Sequence, residues 1–226
     1  MRIVAFGDIH MSGRQCRCIP GADSAELLIA TGDLTNYGKN KDAKEVLDEL
    51  LAVNPNVLAV IGNLDHFEIN DYLDQLDMNL HGQARLIQGK LWLIGAGGSN
   101  ITPFRTPTEY SESEINEILM RGYNMAAEYR SLMHYGKERL PTILVSHTPP
   151  RDTLVDRLRD GRHVGSSAVR AFIETYQPEL CLTGHIHEAQ GEDWIGKTHI
   201  INPGMFRNGG WVEILLNQTT LTATLK

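Results

Sequence analysis

The sequence predicts an α/β fold made of two packed sheets flanked by helices, and three observations carry that prediction. Strand-length apolar runs alternate with amphipathic helical segments through most of the chain, whereas strands alone fill its end. Short Asp, His and Asn clusters follow five of the apolar runs: RIVAFGDIH, LLIATGD, NVLAVIGN, TILVSH and LCLTGHIH. In an open α/β sheet such positions lie beyond the carboxyl ends of the strands, where ligands bind.

The elements follow in order. Continuous apolar runs at roughly 2–8, 27–32, 56–62, 141–146 and 180–183 read as strands covered on both faces. Further strands are predicted at roughly 85–95 and 198–202. Segment 40–52 sets Ala43, Val46, Leu47, Leu50 and Leu51 on one helical face, and segment 166–177 does the same with Val169, Phe172, Ile173 and Tyr176. Ser166 is the expected N-cap of the latter. A longer helix from 111 to about 133 opens on Ser111-Glu112-Ser113-Glu114, a capping box. At the end, 210–216 and 220–225 form a hairpin across Asn217-Gln218-Thr219, expected on a sheet edge. Residues 96–110, rich in Gly and Pro, read as a rim or lid over a site, or as a surface excursion into the long helix. No repeat, low-complexity tract or linker interrupts the 226 residues, so one domain over 1–226 is expected.

Composition narrows the function. A net charge of −7 argues against extended nucleic-acid contact but allows a small phosphorylated substrate, because bound cations reverse the local sign. The apolar runs are too short and too interrupted to span a membrane, and no secretory leader pattern follows Met1-Arg2. Cys16, Cys18 and Cys181 form no C-x-x-C pair, which predicts reduced thiols and a cytoplasmic protein. The spacing of Cys16 and Cys18 suits neither a zinc knuckle nor an unstrained disulfide. Oligomeric state is left open.

The clusters carry the chemistry. Asp8 and His10, at i and i+2, point to one side of an extended strand end, and His185 and His187 repeat the spacing. Asp33 follows Gly32, and a carboxylate can bridge two cations through its two oxygens. Asn63, after Gly62, offers a neutral carbonyl oxygen, and His147 a further nitrogen. Singly, each residue reads as a turn former, a helix cap or a hydrogen-bonded histidine. Together, seven hard or borderline donors that all terminate apolar runs read as a metal site, and two divalent cations sharing an Asp would use them well. Mixed His, Asp and Asn donors admit Mn, Fe, Zn, Co or Ni. Arg14 reads as a solvated loop residue, with a phosphate contact as the alternative.

The ordered set G-D-x-H, G-D, G-N-x-D, S-H and G-H-x-H, from Asp8 toward Asn202, resembles the calcineurin-like metallophosphoesterase family, and its third motif resembles the small-phosphodiesterase branch. The resemblance implies a four-layer αββα sandwich with a dinuclear metal site. One cation would take Asp8, His10, bridging Asp33 and His187; the other Asp33, Asn63, His147 and His185. Asn202-Pro203-Gly204 would support the site. The implied reaction is hydrolysis of a phosphodiester, or of a phosphomonoester, by a hydroxide bridging the metals. A phosphomonoesterase or protein phosphatase, and a scaffold that keeps the fold without turnover, are the alternatives. One position departs: the family's usual G-N-H motif, whose His protonates the leaving group, is here Gly62-Asn63-Leu64-Asp65-His66. Leucine has no proton to give. Either His66 substitutes, or the leaving group has a low pKa and needs no acid.

Overall fold

The computed structural model describes residues 1–132 and 139–226. Two mixed sheets lie face to face. The first has five strands in the order β13-β12-β1-β2-β3: β1 (Arg2–Phe6), β2 (Leu27–Ala30) and β3 (Val57–Ala59) run parallel, and the hairpin β12 (Val212–Asn217) and β13 (Thr220–Leu225) joins antiparallel at one edge. The second has six strands in the order β10-β11-β9-β8-β5-β4. Its centre is parallel, through β5 (Leu91–Ala96), β8 (Thr142–Ser146), β9 (Leu180–Leu182) and β11 (Thr198–Asn202). Antiparallel strands β4 (Ala84–Ile87) and β10 (Gly191–Ile195) close its edges. A small parallel pair, β6 (Ser99–Asn100) and β7 (Glu109–Tyr110), stands apart.

The period-two pattern sorts each strand between layers. From β1, Ile3 and Ala5 enter the core between the sheets, while Val4 and Phe6 face outward onto α1 (Asn40–Leu51) and α2 (Glu68–Gln75). From β8, Ile143 and Val145 enter the central core, and Leu144 packs on α3 (Glu112–Leu132) and α4 (Ser167–Tyr176). The result is the four-layer αββα sandwich. Each large aliphatic side chain buried this way contributes ~1.5–3 kcal/mol.

The predicted caps form. The Ser111 backbone N–H donates to Glu114 Oε2 at 2.8 Å and the Glu114 N–H donates back to Ser111 Oγ, while Ser166 Oγ accepts from the Val169 N–H. Residue 133, at the expected end of the long helix, lies outside the described residues. The single strand expected at 85–95 is instead the hairpin β4–β5. Gln88 and Gly89 both adopt left-handed φ (49° and 69°), which reverses the chain within a run that looks continuous in hydropathy. Among the described residues, no helix is long and apolar enough to cross a membrane.

Candidate metal centre

Three adjacent parallel strands of the first sheet and two of the second end at the same edge, and their next residues are the predicted donors. Asp8 and His10 follow β1, Asp33 follows β2, Asn63 follows β3, His147 follows β8, and His185 and His187 follow β9. Donor atoms of Asp8, His10, Asp33 and His187 lie within 4.8 Å of one another. Within this set, His10 Nε2 is 3.0 Å from His187 Nε2, which lies 3.3 Å from Asp8 Oδ1. On the other side, His147 Nε2 is 3.1 Å from Asn63 Oδ1, and the His147 and His185 ring centroids are 5.3 Å apart. Asp33 stands between the two sets. Its Oδ2 is 3.8 Å from His10 Nε2, and its Oδ1 is 3.5 Å from His147 Nε2.

Backbone conformation brings these groups together. Asp8, His10, Asp33 and His185 all have φ between 46° and 66°, in the left-handed region that a side chain makes costly. Four such residues at one edge mark strain concentrated where the donors converge. Two glycines let the loops close: a Cβ at Gly32 would collide with the His147 ring, and one at Gly62 with the Asp33 carboxylate.

The donors are held from behind. His147 Nδ1 donates to the Thr31 carbonyl (2.9 Å) and His10 Nδ1 to Asn36 Oδ1 (2.8 Å), so each ring turns its Nε2 toward the cluster. Asn63 Nδ2 donates to Thr106 Oγ1 (3.0 Å), which donates to Glu109 Oε1 (2.7 Å) and so turns the Asn63 carbonyl oxygen inward. The Leu64 backbone N–H donates to Asp33 Oδ1 (2.8 Å), and the His185 N–H to both oxygens of Asp8. Buried Asp65 accepts from the N–H groups of Leu34, Thr35 and Gly62 and ties the second motif to the third. Asn202 donates to the Ile186 carbonyl (2.9 Å), propping the loop that carries His185 and His187.

This donor set fits cations. Lone pairs and oxygens face one another across 3.0–3.8 Å, and only a proton or a cation between them makes that arrangement favourable. The titration behaviour shows the same pressure. Burial opposes charge on Asp33, but the neighbouring His147 and His10 hold its carboxyl below the usual range. Burial likewise opposes charge on His147, and the Asp33 carboxylate outweighs it and raises the imidazole. His185, buried and beside His147, is pushed down to about 4. A proton on His147 sits where a cation would be bound.

Other predicted residues fall outside the cluster. The imidazole of His66 has no hydrogen bond, ion pair or ring contact with the seven donors; its backbone N–H donates to the Gly38 carbonyl at 3.3 Å. Arg14 is solvated as expected, but in a 3-10 helix (Gly13–Cys18) and not a loop, with Nε on Glu49 Oε1 at 2.6 Å and its side chain 82% exposed. All three cysteines are free. The props Thr106 and Glu109 escaped the sequence reading, because a Thr and a Glu in a loop carry no motif. Their one signal was membership of the 96–110 segment.

A four-layer sandwich with Asp and His donors gathered beyond the carboxyl ends of its central strands defines a metal-dependent phosphoesterase. The chain belongs to the calcineurin-like phosphoesterase family, whose model matches residues 1–189. It is 36% identical over 212 residues to an uncharacterized protein of Methanocaldococcus jannaschii, covering 90% of this chain and 88% of that one. Among solved structures, TT1561 of Thermus thermophilus superposes with a TM-score of 0.65 at 19% identity, over 99% of this chain and 97% of that one. A dimetal phosphatase from Danio rerio superposes with a TM-score of 0.61 at 11% identity, over 100% and 95%. Both share the fold.

Proposed function

We propose that this protein hydrolyses small phosphodiesters using two divalent cations that share Asp33. The observation that carries the reading is that the two oxygens of one buried carboxylate face separate donor sets. Asp8, His10, Asp33 and His187 would hold one cation, and Asp33, Asn63, His147 and His185 the other. When bound, such a pair lowers the pKa of water toward neutrality and offsets charge on the phosphoryl oxygens. The chain's part is preorganisation: Thr31 and Asn36 fix the imidazole tautomers, Thr106 orients Asn63, and the Leu64 N–H fixes Asp33.

The diester preference rests on the resemblance of Gly62-Asn63-Leu64-Asp65 to the small-phosphodiesterase branch; Leu64 itself gives the leaving group no proton. We assign the donor role to His66 for substrates whose leaving group is a poor one. His66→Ala should slow release of an alkoxide and leave nitrophenolate release unchanged, because only the alkoxide needs a proton. Mn, Fe, Zn, Co and Ni all suit the donors. The proposed setting is cytoplasmic, with a small phosphorylated substrate and neither nucleic acid nor membrane as partner.

The test is turnover of bis-p-nitrophenyl and mono-p-nitrophenyl phosphate with added manganese, before and after chelation. The proposal expects diester cleavage that chelator abolishes and manganese restores. Preference for the monoester would move the assignment to a phosphomonoesterase. No turnover together with no bound metal would make the protein a scaffold.

A further inference from the structure

A groove of about 530 Å³ opens beside the cluster and shares Asn63, His185 and His187 with it. Its volume is that of a small-molecule site. Ile101, Pro103 and Phe104, from the segment after β6, line it together with Leu158 and Val164 from the segment before α4. Phe104 is 79% exposed and Ile101 70%, and Phe104 stacks on no other ring among the described residues. Large apolar side chains left open beside a polar centre point to an apolar occupant.

The charged residues of the groove do not contradict this, because most are already matched. Arg162 Nε donates to Asp160 at 2.8 Å, Glu112 accepts from Ser166 Oγ and the Ala168 N–H, and Glu188 accepts from the Arg159 N–H. Arg151 differs: its ion-pair partner, Asp152, is 3.9 Å away. The open face of the unstacked Phe104 ring suits a π-system, which stacks on it where an aliphatic group cannot.

Resting on the phosphoesterase reading above, we infer that the natural substrate carries an aromatic ring on the ester group retained after cleavage, and that this ring seats in the groove against Phe104. The phosphoryl group lies at the cluster and the ring lies beyond it, so the groove selects substrate while the cluster performs the reaction.

Two diesters with the same leaving group isolate the effect: phenyl p-nitrophenyl phosphate and methyl p-nitrophenyl phosphate. The quantity read is the phenyl-to-methyl ratio of kcat/KM in wild type, Phe104→Ala and Phe104→Trp. Intrinsic reactivity cancels between variants, and the exposed position keeps folding out of the comparison. The inference expects the ratio to fall about tenfold in Phe104→Ala and to survive in Phe104→Trp. Calorimetric binding of phenylphosphonate against methylphosphonate supplies a readout independent of turnover, and the same loss of ring preference is expected. An unchanged ratio in Phe104→Ala, or equal affinity for the two phosphonates in wild type, overturns the inference while leaving the catalytic reading intact. Failure of wild type to cleave either ester overturns the catalytic reading, and the phosphonate pair then decides the groove alone.

Discussion

The two halves of the centre are built differently. The half formed by Asn63, His147 and His185 is braced from behind: the His147 side chain is wholly buried and fixed by the Thr31 carbonyl, and Asn63 is turned by Thr106, while Asn63 and His185 also meet the groove. In the half formed by Asp8, His10 and His187 the exposure falls on His187, whose side chain is 35% exposed, while those of Asp8 and His10 are 0% and 7%. A buried His147 is held before any cation arrives, whereas the exposed His187 can be reached by water. Asp33 belongs to both, which makes it the residue whose loss the centre tolerates least.

The largest effect is therefore expected from Asp33→Ala. Removing the shared carboxylate should lower kcat/KM on the order of a thousandfold and reduce metal content in both halves, measured by steady-state kinetics and elemental analysis. Single histidine deletions come next and separate the halves. His147→Ala and His187→Ala should each cost about a hundredfold, but added imidazole should restore part of the activity only in His187→Ala, where solvent reaches the vacated position. Equal rescue of both variants would erase the distinction between the buried and the exposed histidine.

A smaller effect is expected from the prop. Thr106→Val removes the acceptor for Asn63 Nδ2, freeing the amide to rotate. Manganese affinity measured by calorimetry should weaken about tenfold with little change in melting temperature. The smallest effect on turnover is expected at His81, a buried imidazole away from the cluster that accepts from the Gly97 N–H. Burial and the Arg121 charge hold its pKa down to about 4 from 6.5. The unfolded chain thus takes up the proton first as pH falls, so the stability this group carries is complete above 6.5 and is lost as pH drops through 4. His81→Asn should flatten that part of the pH–stability curve, with and without chelator alike.

How much was legible in sequence follows the same division between position and conformation. The donors were readable because each ends an apolar strand, and strand ends set where they lie. The strain was not: left-handed φ at Asp8, His10, Asp33 and His185 arises from tertiary closure around non-glycine residues whose local preference is otherwise. α2 escaped because its eight residues bury only Ile69, Asn70 and Leu73, too few for a helical period to stand out. β10 escaped because an edge strand reading Gly191-Glu-Asp-Trp-Ile195 has no apolar run. The groove was partly legible. Residues 96–110 were expected as a rim or a surface excursion, and they form both its wall and, through Thr106 and Glu109, the support for Asn63. Val164 and Gly165 line the same groove while Ser166 caps α4, so that segment serves two purposes at once.

The most direct test of the account is anomalous diffraction from crystals grown with manganese. It predicts two peaks per chain, one beside each oxygen of Asp33, with His10 and His187 at the first and Asn63, His147 and His185 at the second. One peak only, or a pair of ions that Asp33 does not touch, would contradict it.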